Sequence, residues 1–459
     1  MHASQVPSRS GDATHADVIV VGGGLAGMTA AALVARAGRS IVVLEQAQHF
    51  GGRAATNVME GVRFNLGAHA LYAGGHACRL FNDLGVPFSG HFPSPGRPLV
   101  VSRRGAFRIP SGLRSLVCSS LLSVGEKMSL ARLFTTIKRL NTRLLDHVSA
   151  QDWIERTAGR GNLALLLGAL FRVSTYVADQ ERLSAGAALD QLRMALADNV
   201  LYLDGGWQTL IDGLRKVAAD HGAECRTSVR ARTVENLTSS VRIHLTDGTE
   251  LCGGSVILAV PPDTACSLLG MTSDGPLREW LSHQEPVLAA CLDIALSRLP
   301  RPGDRFALGL DLPTYFSVHS AAARLAADGT AVVHLMKYLR ADADEPAAAI
   351  EAELEDLLDT VQPGWRPHVV AKRFLPKMTV AHALPRADEG GLAGRPKPSL
   401  AGWPNVFVAG DWVGPEGMLA DAATASAEQA ARCALAVFDD RHAHLIVASQ
   451  REDVLDGSR

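Results

Sequence analysis

The sequence predicts an α/β fold: a parallel sheet flanked by helices, interleaved along the chain with a second domain of mixed sheet and helices. Three observations predict it. The stretch DVIVVGGGLAGMTAAALVARAGRSIVVLE, residues 17–45, sets a Gly-rich turn between a β-branched run and an Ala-rich run at helical spacing, then closes on a second β-branched run. Two later stretches, 200–262 and 405–435, alternate strand-like and helix-like runs again. The regions between them, about 76–199 and 280–398, follow other patterns, one mostly helical and one rich in strand-like alternation.

Composition bounds the reading. At 459 residues, with 47% apolar and 20% charged, the chain supports a sizeable core and more than one domain. Its formal net charge of −2 gives no basic face, so no nucleic-acid partner is expected. Seven scattered cysteines without a C-x-x-C read as reduced thiols of a cytoplasmic protein. Residues 1–14 lack an apolar core for a secretory signal, and 441–459 are charged; both are expected to be tails. No run is long and apolar enough for a spanning helix.

The first unit carries the most specific signal. DVIVV reads as a buried parallel strand, and Gly22, Gly24 and Gly27 form G-x-G-x-x-G, with Leu25 and Ala26 opening the helix. Gly22 permits the tight turn, Gly24 lets the backbone approach a pyrophosphate, and Gly27 lets helix and strand pack. The helix N terminus then faces the phosphates. The second strand, SIVVLE, ends in Glu45, about twenty residues on, where this Rossmann-type unit places a ribose-hydroxyl acceptor.

Soon after comes QHFGGRAAT, with Gly51, Gly52, Arg53 and Thr56, and then FNLGAHAL, residues 64–71. Arg53 is a fixed cation at a Gly-rich turn, suited to a phosphate. Together these stretches resemble the flavin amine oxidase superfamily, which also holds protoporphyrinogen oxidase-like and phytoene desaturase-like enzymes. The resemblance implies FAD as cofactor. It also implies that Gly52 and Arg53 hold it and that Gly67, Ala68 and His69 run beside its isoalloxazine ring.

Three further stretches fit the resemblance. In VLYLDGGWQTLIDGLRKVAADHGAECRTSVRARTVE, residues 200–235, a helix over 210–220 is expected, then a strand around Val229, whose backbone would contact the adenine. VRIHLTDGTELCGGSVILAVPP reads as a hairpin turned at Asp247–Gly248, then a buried strand stopped by Pro261 and Pro262. In NVFVAGDWVGPEGMLADAATASAEQAARCAL a strand ends at Gly410 and Asp411, and a small-residue helix is expected from about Asp421. The resemblance implies that Asp411 bonds the ribityl chain. It implies too that amides around Asp421, Ala422 and Ala423 face the pyrimidine end of the flavin, where a helix N terminus favours negative charge. No second strand–GxGxxG–helix unit follows, so no NAD(P)H domain is expected.

The expected domains are therefore discontinuous. Residues 15–75, 200–275 and 400–440 would form a Rossmann-type FAD-binding domain, interleaved with a mixed-sheet and helical substrate domain of 76–199 and 280–398. Within it, 120–145 carries Leu and Phe at helical spacing with Lys127, Arg132, Lys138, Arg139 and Arg143 between. One reading is a cap helix with a solvated basic face; the other is a rim in peripheral contact with an anionic membrane.

The substrate is read from departures. Amine oxidases of this superfamily carry a Lys in the strand after the VILAVPP segment, and here the candidate positions are Ala289 and Ala290. They also carry an aromatic just before the last helix, for which Leu419 stands here. Both departures, with an aromatic content of 5%, point to a largely aliphatic cavity. The expected reaction is desaturation of a small hydrophobic molecule by hydride transfer to the flavin, with oxygen or a quinone as electron acceptor. An amine or amino-acid oxidase is the alternative, and a non-redox flavin isomerase or a flavin-free binding protein is a further one. His69 is the catalytic candidate, to orient substrate or take a proton. Tyr176 and Lys337 are candidates for the cavity wall, and Trp412 for the flavin's edge.

Overall fold

The computed structural model describes residues 14–94, 96–109, 120–271, 275–327 and 329–456, with side chains to 438. The stretch 110–119, which contains Cys118, and the tails at 1–13 and 457–459 lie outside the described residues. The elements that build the site run in chain order. Strand β1 (Thr14–Val21), helix α1 (Leu25–Arg36) and strand β2 (Ile41–Leu44) come first, then helices α2 (Val124–Thr136) and α3 (Gln208–Asp220). Strands β3 (Glu250–Leu258), β4 (Val287–Leu296), β5 (Thr314–Val318), β6 (Ala331–Leu339), β7 (Val369–Ala381) and β8 (Trp403–Val408) follow, and helix α4 (Leu419–Asp456) is last.

Eight strands form the first sheet. β1 lies between β2 and β3, both parallel to it, and the short strand Glu224–Arg226 extends the β2 edge. The first half of β3 takes the hairpin strand Val241–Leu245, and its second half takes β8 in parallel. β1 is apolar on both faces because helices cover it: α1, α3 and α4 pack on one side through Ala30, Ala31, Ala427, Ala430 and Leu210. Small side chains at these positions let the helices lie close to the strands.

The second sheet is built from other parts of the chain. Its order is β7–β4–β6–β5, then Phe306–Gly309, Leu99–Ser102 and Gly105–Arg108. Successive residues of β4 face opposite ways. Ala289 and Cys291 join Met336 and Tyr338 of β6 in one apolar cluster, beneath the helices of the region 121–198. Leu288, Ala290 and Leu292 join Leu335 and Leu339 in another, against the helix Ala347–Val361.

Several sequence expectations need correction. β1 begins at Thr14, three residues before the apolar run, because residues 14–16 pair with 251–253. Val229 is not in a strand; it lies between Glu224–Arg226 and Ala231–Asn236, and its amide donates to the Glu45 carbonyl at 2.9 Å. The last helix begins at Leu419 rather than near Asp421. The region 76–199 is mostly helical as expected, and 99–108 adds a hairpin to the second sheet.

Candidate active site

The Gly-rich turn is closed on three sides by the chain itself. A β-carbon on Gly22 would lie 2.3 Å from the Ala259 carbonyl oxygen, on Gly23 2.2 Å from Phe50, and on Gly27 1.8 Å from the Gly22 oxygen. Gly24 is different. Its φ is −79°, which any residue adopts, and a β-carbon there would meet nothing nearer than 4.0 Å. Neither backbone strain nor packing within the chain calls for glycine at 24, so the free side of this turn suits a bound group. The amides of Leu25, Ala26 and Gly27 precede the first intrahelical bond, from Met28 to the Gly24 oxygen, and form the open N terminus of α1.

Glu45 closes the back of the turn. Its carboxylate accepts from the Gly23 amide at 2.7 Å and the Ala47 amide at 2.8 Å. The Gly51 amide donates to the Gly23 oxygen at 2.9 Å, which docks the Gly51–Gly52–Arg53 turn on the first one.

Arg53 does more than the sequence suggested. Its Nη1 donates to Asp411 Oδ2 and to the Val380 carbonyl, each at 2.7 Å. Asp411 is 2% exposed and also accepts from the His382 amide and ring, at 3.2 and 3.0 Å. Burial alone would raise the Asp411 carboxyl, but the Arg53 charge and the His382 bond outweigh it and hold it far below the usual range. Arg395 lies close by, donating to the Gly417 carbonyl at 2.9 Å while its Nε has no partner. Burial lowers this guanidinium to about 10 against the pull of Asp411. The open terminus of α1 suits a diphosphate, and both guanidinium groups, Arg53 by an ion pair and Arg395 by its charge, act on the buried Asp411.

Gly410 is pinned to α4, for the Ser426 hydroxyl accepts from its amide and donates to its carbonyl, each at 2.9 Å. At the start of α4 the amides of Asp421 and Ala422 both turn to the Met418 carbonyl, so they do not point outward as expected. Ala422 and Ala423 are buried, and the helix presents Leu419 first, at φ +56°. Asp421 accepts from the Ala77 amide at 2.8 Å, and burial raises its carboxyl to about 6.

The segment 65–69 crosses one face of the second sheet, on Cys291 and Met378. A β-carbon on Gly67 would lie 2.7 Å from Cys291 Sγ and 3.2 Å from Met378 Sδ. The Ala68 carbonyl accepts from Tyr176 Oη at 3.2 Å, so Tyr176 does line this wall. His69 has carbonyls at both ring nitrogens, Gly67 at 3.1 Å from Nδ1 and Arg53 at 3.1 Å from Nε2, and its edge meets Trp207. Burial lowers it to about 4, so it is neutral near pH 7.

Beneath the segment the sheet carries ordered rows. Ala289 pairs with Tyr338 and Met378, and Cys291 with Met336 and Leu375. The next row is polar: Arg373, Asp293, His334 and Ser317 stand side by side on β7, β4, β6 and β5. Asp293 bonds His334 Nδ1 at 2.6 Å and Arg373 Nε at 3.1 Å, and Arg373 reaches across to the Asn65 carbonyl. Sequence reasoning missed this row, whose members come from four strands spread over 293–373. The one available signal was a buried-type strand carrying a single Asp, CLDIAL.

Two candidates prove to lie elsewhere. Lys337 faces the helix Ala347–Val361 and pairs with Glu345 at 2.7 Å and Glu353 at 2.5 Å. Trp412 is buried against Trp280, and its Nε1 donates to the Val260 carbonyl. The wall is also less aliphatic than expected. All five tyrosines, 72, 176, 202, 315 and 338, gather here: Tyr176 meets Tyr338 edge to face, and Tyr202 Oη lies 3.2 Å from Tyr315 Oη. Low overall aromatic content hid their concentration.

Comparison with known proteins agrees with this geometry. The sequence profile described as flavin containing amine oxidoreductase matches residues 25–435. The Mycobacterium tuberculosis protein AofH, whose name assigns it provisionally to the flavin-containing monoamine oxidases, is 26% identical over 59% of this chain and 62% of its own length. A coproporphyrinogen III oxidase from Propionibacterium freudenreichii is 29% identical over 40% of this chain and 36% of its own. The chain thus spans less than two thirds of the length of the curated relatives it matches. Among solved structures, putrescine oxidase bound to putrescine shares the fold, with a TM-score of 0.69 over 92% of this chain and 99% of its own at 17% identity.

Proposed function

This chain belongs to the flavin-containing amine oxidoreductase family, with FAD as cofactor, and from that premise we propose that it dehydrogenates a small hydrophobic molecule, in the manner of a desaturase. One observation carries the reading. The residues that face Gly67–His69 from the sheet, Ala289, Cys291, Met336, Leu375 and Met378, are uncharged and mostly apolar, and Leu419 closes the same cluster. Ala289 and Ala290 stand where the superfamily's lysine is expected, and Lys337, a candidate for the cavity wall, points to the opposite face.

The residues proposed to hold the cofactor are Gly22, Gly24, Leu25, Ala26, Gly27, Glu45, Gly52, Arg53, Gly67, Ala68, Val229, Gly410 and Asp411; Ala422 and Ala423, whose segment is turned inward, are not among them. FAD, when bound, supplies a two-electron acceptor for a hydride leaving a substrate carbon. The protein's part is position and exclusion of water. Arg373 holds the Asn65 carbonyl and His69 holds those of Gly67 or Arg53, so the segment between them is braced against the sheet. A neutral imidazole has one N–H and makes one of those bonds at a time. We assign His69 the role of a positioning residue. The wall of Cys291, Met336, Met378 and Leu419 excludes water and offers an apolar substrate a matching surface.

Oxidation of an amine is the competing reading, favoured by the names of AofH and putrescine oxidase. An amine cage needs two aromatic faces turned to one cation. Here Tyr176 and Tyr338 meet at 78°, and Leu419 stands where a second face is wanted. Anaerobic mixing of the yellow protein with a lipophilic polyene in detergent separates the two readings. Loss of the flavin's visible absorbance with polyenes supports dehydrogenation at carbon. Loss with primary amines and none with polyenes overturns it.

A further inference from the structure

Arg172 and Tyr338 leave the described structure with an unmet electrostatic need. Arg172 lies in the helix Asn162–Thr175, with its guanidinium largely withdrawn from water. Its Nη2 donates to the carbonyls of Gly309 and Leu310, at 3.0 and 3.2 Å. Its Nε is buried with no partner, and among the described residues no carboxylate pairs with it. Asp311, the nearest acid on the adjoining loop, is exposed and receives the Arg103 amide. Tyr338 is 2% exposed, and its hydroxyl also has no partner. Burial pushes this phenol up, and the Arg172 charge is the first influence that opposes it, so the two groups sense each other. The charge of Asp311 reaches the guanidinium without pairing with it, and a buried Nε–H and a buried hydroxyl that both lack partners are each costly.

We propose that Arg172 and Tyr338 form the anion-binding end of the substrate cavity and that the substrate is a hydrophobic carboxylic acid. The guanidinium Nε–H and the tyrosine O–H are donors, and a carboxylate is an acceptor for both. Tyr176 links this end to the reacting segment, for its ring meets Tyr338 and its hydroxyl bonds the Ala68 carbonyl. A substrate anchored at Arg172 runs from Tyr338 past Tyr176 toward the Ala68 carbonyl. The inference rests on the reading of the apolar wall as the substrate surface, and it names the polar group that such a substrate must carry.

The test is a binding measurement on the flavin-loaded protein, independent of turnover. 4-Phenylbutyrate and 4-phenylbutanol have the same body and differ in the head group. Each is titrated by perturbation of the flavin spectrum and by the shift in unfolding temperature. The acid is expected to bind at least tenfold more tightly than the alcohol. Arg172→Met should erase that preference, and Tyr338→Phe should weaken the acid severalfold and leave the alcohol unchanged. Equal binding of acid and alcohol, no binding of either, or unchanged acid affinity in Arg172→Met overturns the proposal. Failure of a polyene carboxylic acid such as retinoic acid to bleach the flavin, with acid selectivity intact, would instead refute the dehydrogenation reading alone.

Discussion

The sulfur of Cys291 occupies the place a side chain on Gly67 would need: a β-carbon built there lies 2.7 Å from Sγ, and Gly67 holds φ +80°. Both facts make glycine necessary, but for separable reasons. Gly67→Ala should lose FAD readily and unfold earlier. Adding Cys291→Gly removes the clash and leaves the backbone strain, worth about 1 kcal/mol. The double variant should therefore recover part of the lost stability in urea titrations. A double variant no better than Gly67→Ala would show that Cys291 is not the obstacle.

Arg53 and Asp411 form the ion pair that ties the second Gly-rich turn to the end of β8. Arg53→Met leaves a carboxylate that is 2% exposed, bonded to His382 and with the Arg395 charge near it. Because Arg53 is itself 38% exposed, the expected loss is discounted to about 2 kcal/mol from the range for buried pairs. Chemical denaturation of the FAD-free protein measures it. Asp411→Asn in the Arg53→Met background should cost little more, since the unpaired charge is then gone.

His69 titrates lower in the fold than in the unfolded chain, about 4 against 6.5. The unfolded state therefore binds the extra proton first as pH falls. The stability that His69 contributes is present above pH 6.5, declines between 6.5 and 4, and is absent below. The span is on the order of 3 kcal/mol. His69→Gln should flatten that part of the pH–stability curve. An unaltered curve would show that His69 does not carry the effect.

Asp421 has the opposite sign, with its folded value raised from 3.8 to about 6 by burial. The fold prefers the protonated acid, so stability falls as pH rises through this window and the penalty is complete above 6. Asp421→Asn keeps an oxygen for the Ala77 amide and abolishes the penalty. It should raise the unfolding temperature at pH 8 and change little at pH 4.

Helix α2 shows apolar side chains to solvent. Val124 is 75% exposed, Met128 70%, Phe134 50% and, just beyond, Leu144 78%, with Arg132, Lys138, Arg139 and Arg143 exposed around them. Its other side packs through Leu130 into the cluster of the substrate wall. Apolar residues flanked by basic ones suit an anionic lipid surface. We expect sedimentation with phosphatidylcholine vesicles that contain phosphatidylglycerol and none with phosphatidylcholine alone. Met128→Glu with Phe134→Glu should abolish it. No helix of the described residues is long and apolar enough to cross a membrane, so any such contact is made at the surface.

The nucleotide-binding half was legible because its chemistry is local. Gly22, Gly24, Gly27 and Glu45 sit within one βαβ unit, where spacing alone fixes turn, helix and strand. The hairpin at Asp247–Gly248 was legible for the same reason. The substrate half was not, because its determinants meet across strands. The row of Arg373, Asp293, His334 and Ser317 exists only once β7, β4, β6 and β5 are in register. The gathering of the five tyrosines is likewise a product of tertiary contact. Lys337 misled because alternation along β6 decides its side, and periodicity alone does not say which face meets the ligand.

The strand order has a consequence for how this protein is made. The pocket's Arg53 emerges early from the ribosome, but its partner Asp411 lies 358 positions later. The edge of β1 that will pair with β3 must also wait for residues 251–258. Through most of synthesis, then, β1 and β2 stand as an unfinished sheet with an open apolar edge, a species for chaperones to guard. A message cut short before β8 yields a chain without Asp411, the partner of Arg53.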